Sequence, residues 1–183
     1  MSDLFKAAIL SLVVFVAAVE RAPTLRAFSA QASTAASCSA PEYRRFDFWA
    51  GDWDVFEVGS PVKSAHARVD RELEGCVLHE RYEGANGAKG QSFTIYDASR
   101  KVWHQTWVTD RGELLVIEGQ FQDGEMVLSG IEQMRDGKAK HVRGTWKSVK
   151  GEVRETAVTS IDGGETWQPW FDLIFRPRAK GRT

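Results

Sequence analysis

Three charged residues stand in alternating, strand-like segments and could carry chemistry. Glu80, Arg143 and Glu155 each lie between residues that would share their face of a strand. If these faces point into a core, the charges are costly unless paired, and such charges often mark function. The simplest solution is an ion pair of Arg143 with Glu80 or Glu155; the alternative is that all three are ordinary surface charges. Two carboxylates could also perform general acid–base chemistry, provided that the fold brings them together.

A Trp-x-Gln-x-Trp segment is the second candidate. Side chains alternate along a strand, so Trp103, Gln105 and Trp107 share one face while His104, Thr106 and Val108 take the other. Two indoles around one amide would make an apolar pocket with a polar handle, although the two Trp could instead simply fill a core. The candidate ligand-lining residues are therefore Glu80, Tyr96, Trp103, Gln105, Trp107 and Arg143.

The remaining residues that could carry chemistry form no recognisable functional motif. The four histidines show no His-x-x-x-His spacing, and no Cys-x-x-Cys pair is present, so we predict no metal site. No Gly-rich phosphate loop, nucleophile elbow or nucleic-acid motif occurs, and the formal net charge is −1. We therefore expect no nucleic-acid partner and no cofactor.

The elements that must position these residues are read as strands. With 183 residues the chain can form one domain with a real core. Gly-containing turns such as Asp123-Gly124 and Lys150-Gly151 separate the apolar segments at short, regular spacing. We predict an all-β, antiparallel up-and-down barrel of about ten strands at 53–58, 65–73, 77–83, 91–97, 102–109, 113–119, 126–132, 139–147, 153–160 and 167–176.

An aromatic segment precedes the first strand. A short helical segment is predicted from Pro41 to Ala50, with Phe46 and Trp49 on one face at i, i+3 spacing. We expect this N-terminal segment to cover one end of the barrel. Gly51 and Trp53, in the sequence Gly-Asp-Trp, are predicted to be structural.

One late segment, Ser160 to Trp167, matches the Asp-box pattern Ser-x-Asp-x-Gly-x-Thr-Trp. The Asp162 carboxylate can accept hydrogen bonds from turn amides while Trp167 packs beneath. Propellers that use this device carry several copies, whereas this chain has one. We interpret Asp162 and Trp167 as a structural hairpin device.

The N-terminus has the pattern of a targeting segment. Lys6 precedes an apolar run over residues 7–19, and Ala30-Gln31-Ala32 could be a cleavage site. The predicted organisation is a signal peptide or uncleaved anchor at 1–32, a linker at 33–40, the barrel at 41–178 and a basic tail at 179–183. In an exported chain the two cysteines, Cys38 and Cys76, are expected to pair, the alternative being two free thiols.

The opening motif carries a family resemblance. The segment from Phe46 to Val55, FDFWAGDWDV, resembles the opening of a family of uncharacterised secreted bacterial proteins. Further agreement lies in Gly75-Cys76, in the Trp103–Trp107 strand and in Ser160–Trp167. The resemblance spans roughly residues 41–176 and implies a calycin-like barrel but no activity. Lipocalins and nitrobindin-type haem barrels are similar at the level of fold only. The haem-binding relatives use an axial histidine, so haem is an alternative cofactor for which His66, His79, His104 and His141 are the candidates, but no motif assigns any of them. In lipocalins the Trp of Gly-x-Trp closes the barrel base, often under an arginine, a role that Arg143 or Arg176 could fill here.

These observations predict a secreted or periplasmic barrel that binds a small apolar molecule. The first alternative is an envelope enzyme of the isomerase or hydrolase kind, with Glu80 or Glu155 as base. Such an enzyme requires a carboxyl group of raised pKa inside a cavity. The second alternative is a protein-interaction module whose barrel is filled, with no cavity behind Trp103 and Trp107. Membrane contact is expected only through an uncleaved N-terminal segment.

Overall fold

Ten antiparallel strands close into a single barrel. The computed structural model describes residues 38–179, and the predicted leader, most of the linker and most of the basic tail lie outside this range. Each strand pairs with its neighbours in sequence, and β1 pairs with β10 to close the ring. The strands are β1 Gly51–Glu57, β2 Lys63–Glu72, β3 Val77–Gly84, β4 Lys89–Asp97, β5 Val102–Thr109, β6 Leu114–Gln122, β7 Glu125–Gln133, β8 Ala139–Val149, β9 Glu152–Ser160 and β10 Gln168–Pro177.

Tight turns join the strands where the sequence supplies residues that accept positive φ. In the β6–β7 and β8–β9 hairpins both central residues have positive φ, at Asp123-Gly124 and Lys150-Gly151. This is the geometry of type I′ turns, whose twist matches that of the flanking strands. The predicted fold class is confirmed, and the observed strands agree with the predicted ones to within a few residues at their ends.

Short 3-10 helices cover one end of the barrel. They span Pro41–Arg44 and Asp47–Trp49, and a third single turn, Leu73–Gly75, connects β2 to β3. Phe46 and Trp49 are fully buried and stacked with ring centroids 5.1 Å apart. Phe46 also meets Trp103 edge-on at 5.8 Å, and Trp49 lies 5.8 Å from Trp146. The predicted N-terminal cover is thus a plug of aromatic rings, and we call this the closed end of the barrel.

Trp53 on β1 completes the closed end. Its side chain is 6% exposed, and its indole N–H donates to the backbone carbonyl of Trp49 at 3.0 Å. A Cβ added to Gly51 would lie 2.6 Å from the Trp53 ring, so glycine is needed for the ring to lie there. The structural role predicted for Gly51 and Trp53 is what the packing shows.

The predicted disulfide is present. Cys38 and Cys76 are bonded, with their Cα atoms 5.1 Å apart. The bond ties the chain just before the aromatic plug to the connection between β2 and β3. Disulfides of this kind are typical of proteins from oxidising compartments. Within residues 38–179 there is no helix of the length and apolarity that a membrane crossing requires.

Candidate functional site

A cavity of about 340 Å³ occupies the half of the barrel opposite the plug. It lies toward the end where β3 meets β4, β5 meets β6, and β9 meets β10, which we call the open end. Trp170, at this end, is 47% exposed, so the cavity reaches solvent there. The lining residues lie on β3, β5, β6, β8, β9 and β10: Glu80, Tyr82, Gln105, Trp107, Leu115, Ile117, Val142, Gly144, Trp146, Glu155, Ala157, Trp170, Phe171 and Leu173.

Two carboxyl groups face this cavity from β3 and β9, two strands that lie nearly opposite each other in the ring. Glu80 on β3 is 5% exposed and accepts a hydrogen bond at 3.0 Å from the hydroxyl of Ser92, its cross-strand partner on β4. Burial raises the pKa of Glu80 to about 7, an effect that the Ser92 hydroxyl partly opposes. A carboxylate loses its hydration in such a site, and the neutral form is therefore favoured.

Glu155 on β9 is the second carboxyl group. Burial and the negative charge of Glu80 together raise the pKa of Glu155 well above its usual range. Trp146 on β8 is the cross-strand neighbour of Glu155. Its indole N–H lowers the pKa of Glu155 somewhat, although the two groups do not reach the geometry of a hydrogen bond. The negative charge of an ionised Glu80 therefore makes ionisation of Glu155 less favourable.

Positive charge is missing from this lining. Among the cavity-lining residues that the structure describes, no Lys, Arg or His accompanies Glu80 and Glu155. Lys140 lies near the open end with its ammonium 4.3 Å from the centre of the Trp170 ring, but it is already paired with Glu132 at 2.6 Å. The carboxyl pair therefore has no counter-charge of its own.

Aromatic rings form much of the remaining wall. Trp107 meets Tyr82 edge-on at 6.0 Å, and Trp170 lies 5.2 Å from Phe171. A Cβ added to Gly90 would come within 2.2 Å of the Trp107 ring, so the absence of a side chain on β4 lets the indole lie against the wall. Together these rings give the cavity an apolar interior with a few polar groups, as is common in small-molecule sites.

The structure divides the predicted lining residues into three groups. Glu80, Gln105 and Trp107 line the cavity, and the Gln105 amide donates to the Thr94 hydroxyl at 2.9 Å. The face assigned to Trp103, Gln105 and Trp107 is the inward one. Trp103, however, is 3% exposed and belongs to the closed end. The barrel is therefore filled behind Trp103, whereas a cavity remains behind Trp107.

Tyr96 also belongs to the closed end. Its ring meets that of Tyr43 edge-on at 5.3 Å and lies 5.7 Å from Trp103. The 3-10 helix that contains Tyr43 covers Tyr96, and this contact keeps Tyr96 out of the cavity.

Arg143 lies on the outer face of the barrel, contrary to the prediction. Its guanidinium stacks 4.3 Å from the ring of Trp167, and it pairs with neither Glu80 nor Glu155. The reason lies in β8, where Val142 and Trp146 occupy the alternate positions and are buried. Burying these apolar side chains forces Arg143 outward.

The predicted arginine contact at Trp53 was wrong as well. Arg143 stacks on Trp167, and Arg176 stacks 4.7 Å from the ring of Phe56. Both arginines lie on outward faces of their strands, whereas Trp53 points inward under Trp49. Trp53 is held by its hydrogen bond and by ring packing instead.

The predicted hairpin device is formed. The Asp162 carboxylate accepts a hydrogen bond from the Thr166 amide at 3.0 Å, and the Gly164 amide donates to the Ser160 hydroxyl at 2.8 Å. The Trp167 indole donates to the Gly164 carbonyl at 3.0 Å. Hydrogen bonds from Ser160 and Thr166 hold the pKa of Asp162 below its usual range.

No histidine faces the cavity. His66 is bonded to Asp52, and His104 to Glu118, on the outer surface of the barrel. His79 stacks on Phe93 at 4.2 Å, and His141 shares the outward face of β8 with Arg143. The residues present do not fit an axial ligand for haem in this barrel.

Several lining residues were missed by the sequence analysis. Tyr82 shares the face of Glu80 and could have been found from strand alternation alone. Trp146 could have been found from the apolar set that it forms with Val142. Trp170 and Phe171 are adjacent in sequence yet both line the cavity, because β10 is irregular between Pro169 and Phe171. No simple alternation rule predicts that arrangement.

Fold and site together define the class of this protein: a calycin-like barrel, plugged at one end and hollow at the other. Comparison with known proteins finds neither a family model that matches nor a significantly similar curated protein.

Proposed function

We propose that this protein is an exported barrel that binds a small, largely apolar molecule in the cavity at its open end. The observation that carries this proposal is the cavity of about 340 Å³ behind Trp107. Its volume falls within the range of about 300–1,000 Å³ that is usual for ligand pockets. Burial of apolar surface would drive binding, and Gln105 and the carboxyl pair would orient the ligand.

Export and family membership are part of the same proposal. The Cys38–Cys76 bond and the leader-like pattern at residues 1–32 support a secreted or periplasmic location. The FDFWAGDWDV opening motif supports membership of the family of secreted bacterial barrels that it resembles.

Binding of a neutral fluorescent dye, N-phenyl-1-naphthylamine, tests the cavity directly. We expect saturable one-to-one binding to the purified protein. Trp107→Ala removes one aromatic wall and should weaken binding about tenfold or more, since burying a large apolar side chain is worth roughly 1.5–3 kcal/mol. The readout is dye fluorescence, with circular dichroism to verify the fold.

A matched control distinguishes the cavity from the outer surface. Phe93 lies on the outer side of β4 and is 49% exposed, so Phe93→Ala removes an aromatic ring outside the cavity. This variant should bind the dye as the parent does. Equal affinity in the parent and Trp107→Ala, with both folded, would contradict the proposed site.

Acid–base catalysis is the second candidate function. The observation that favours it is the carboxyl group of Glu80, whose pKa is raised to about 7 and which faces a cavity. A group that titrates near neutral pH is suited to give and take protons during a reaction. An enzyme that uses an interior carboxyl group requires such a raised pKa inside a cavity.

Native mass spectrometry of the exported protein separates the two candidates. A bound compound that is recovered unchanged after incubation with fresh protein supports a carrier. Chemical conversion of that compound by the parent, but not by Glu80→Gln, supports an enzyme. The cavity behind Trp107 argues against the protein-interaction module, which would have a completely filled barrel.

A further inference from the structure

We propose that the cavity selects small apolar amines, bound as their ammonium ions, with Glu80 and Glu155 as the counter-charge. This inference rests on the proposed function, because it names the chemical class of ligand for the same cavity. It concerns the charge of the ligand, which the binding proposal leaves open.

The arrangement of charges in the barrel carries the argument. Two carboxyl groups share one apolar cavity, and no basic side chain stands among the described residues that line it. A purely structural buried carboxylate is normally paired with a cation, because an unpaired one is costly. Arg143, the partner that the sequence suggested, stacks on Trp167 outside the barrel, and Lys140 near the open end is paired with Glu132. The cation that would complete the site must therefore come with the ligand.

The walls fit the apolar part of such a ligand. Trp107, Tyr82 and Trp146 line the cavity together with the carboxyl pair. Aromatic faces attract cations, and they do so more strongly in a desolvated site. An ammonium ion with a hydrocarbon body would bury the body among these rings and place its charge near Glu80 and Glu155. A neutral molecule of the same shape would leave the carboxyl pair without a partner.

The other titratable groups that the structure describes around the pair do not supply its counter-charge. Tyr82 projects from β3 beside them, and burial together with the charges of Glu155, Glu80 and Glu57 raises the pKa of Tyr82 to about 12. Its phenol therefore stays neutral at physiological pH. From β7 and β8 the nearest charges are Glu132 and Lys140, which neutralise each other. The remaining lining side chains, on β5, β6 and β10, do not titrate in this range.

Proton release is a direct consequence. Without a ligand, the raised pKa values keep the carboxyl pair at least partly protonated at pH 7. An ammonium ion favours the ionised form, so its binding should release protons at that pH. A neutral ligand gives no such release. Affinity for the amine should therefore rise with pH from 5 to 8, while an alkylammonium group, which titrates near ~10, remains charged.

The experiment compares 1-naphthylmethylamine with 1-naphthalenemethanol, which differ only in the ammonium and hydroxyl groups. Displacement of N-phenyl-1-naphthylamine from the disulfide-bonded protein gives both affinities at pH 5 and pH 8. We expect the amine to bind at least about tenfold more tightly than the alcohol at pH 8, and the preference to shrink at pH 5. Calorimetry in buffers of different ionisation enthalpy measures the proton release.

Substitutions assign the preference to the pair. Glu80→Gln and Glu155→Gln should each reduce the preference for the amine at least threefold and leave binding of the alcohol unchanged or stronger. Glu125→Gln removes the same charge from the outer face near the closed end, where Glu125 pairs with Lys147 at 2.7 Å, and should keep the full preference. The comparison of amine and alcohol in the parent protein needs no variant, so it stands even if a substitution prevents folding.

The outcomes separate this inference from the proposed function. If the alcohol binds as tightly as the amine at pH 8, the inference is overturned while the binding function stands. A preference for the amine that survives both Gln substitutions overturns the assignment to Glu80 and Glu155. If the dye and both naphthyl compounds fail to bind, the proposed binding function itself fails, and the inference fails with it.

Discussion

At the scale of single residues, Glu80 is the most informative side chain in the barrel. It is buried, it accepts a hydrogen bond from Ser92, and no Lys, Arg or His stands among the described residues that line its cavity. A site of this kind reduces the stability of the protein when the carboxyl group ionises. Proteins retain such groups where a function requires them, at a cost in stability.

The pH dependence of stability follows from the pKa of Glu80. The folded-state pKa of about 7 exceeds the ordinary glutamate pKa of 4.5, so between these pH values the folded protein holds a proton that the unfolded chain releases. Stability is therefore highest below pH 4.5 as far as Glu80 is concerned, falls as pH rises to about 7, and is constant above. Glu80→Gln removes this loss, so at pH 8 it should raise the free energy of unfolding by as much as about 3 kcal/mol.

Urea denaturation at pH 4.5 and pH 8 measures this effect. Glu80→Gln and the parent should be similar at the lower pH, where both side chains are neutral. Glu125→Gln, on the outer surface, serves as the control and should follow the parent at both pH values. An identical fall in stability between the two pH values for the parent and Glu80→Gln would refute a raised pKa at Glu80.

At the scale of elements, strand alternation explains both the correct and the wrong site predictions. On β5 alternation put Trp103, Gln105 and Trp107 on one face, and the structure shows that this face points inward, which the sequence had left open. On β8 the charged Arg143 was given weight over Val142 and Trp146, whose burial determines the orientation of the strand. Apolar burial is the better guide to strand orientation, since each buried large side chain contributes roughly 1.5–3 kcal/mol.

The β9–β10 hairpin allows a test at this scale. Asp162→Ala removes the acceptor for the Thr166 amide and should accelerate hydrogen exchange of that amide, while amides in the middle of β9 stay protected. Asp136→Ala is the matched control, because Asp136 accepts a comparable bond from the Lys138 amide in the β7–β8 hairpin. Amide exchange followed by NMR should show each effect confined to its own hairpin. Unchanged protection of Thr166 in Asp162→Ala would show that the carboxylate does not hold the turn.

At the scale of the whole molecule, the plug and the disulfide decide how much of the barrel stays hollow. Phe46 and Trp49 fill the closed end, and Cys38 fastens the chain that carries them to Cys76. Arg71 adds an ion pair with Asp47 at 2.9 Å. The plug therefore has covalent, electrostatic and apolar attachments to the wall, and the cavity is restricted to the open end.

Reduction of the disulfide should lower stability without removing the barrel. Closing a loop across a sequence separation of 38 residues stabilises the folded state by about 4 kcal/mol in the chain-entropy model. Dithiothreitol should thus lower the midpoint of urea denaturation, while the β-sheet circular dichroism persists in the absence of urea. The chain has only two cysteines, so the reagent acts at this bond alone. A Cys38→Ser, Cys76→Ser double variant that is insensitive to dithiothreitol is the control, and an unchanged midpoint for the parent would contradict the prediction.

Local patterns in the sequence determined most of the architecture. The Gly-containing turns, the strand lengths, the aromatic plug and the pairing of the two cysteines were all predictable, because each depends on neighbouring residues or on a simple count. Only the closed ring of strands decided the rest. It brings Glu80 on β3 and Glu155 on β9 to one cavity, and it places Trp103 under the plug and Trp107 beside open space. Those relations depend on barrel closure and on how far the plug enters, and no local pattern in the chain records either.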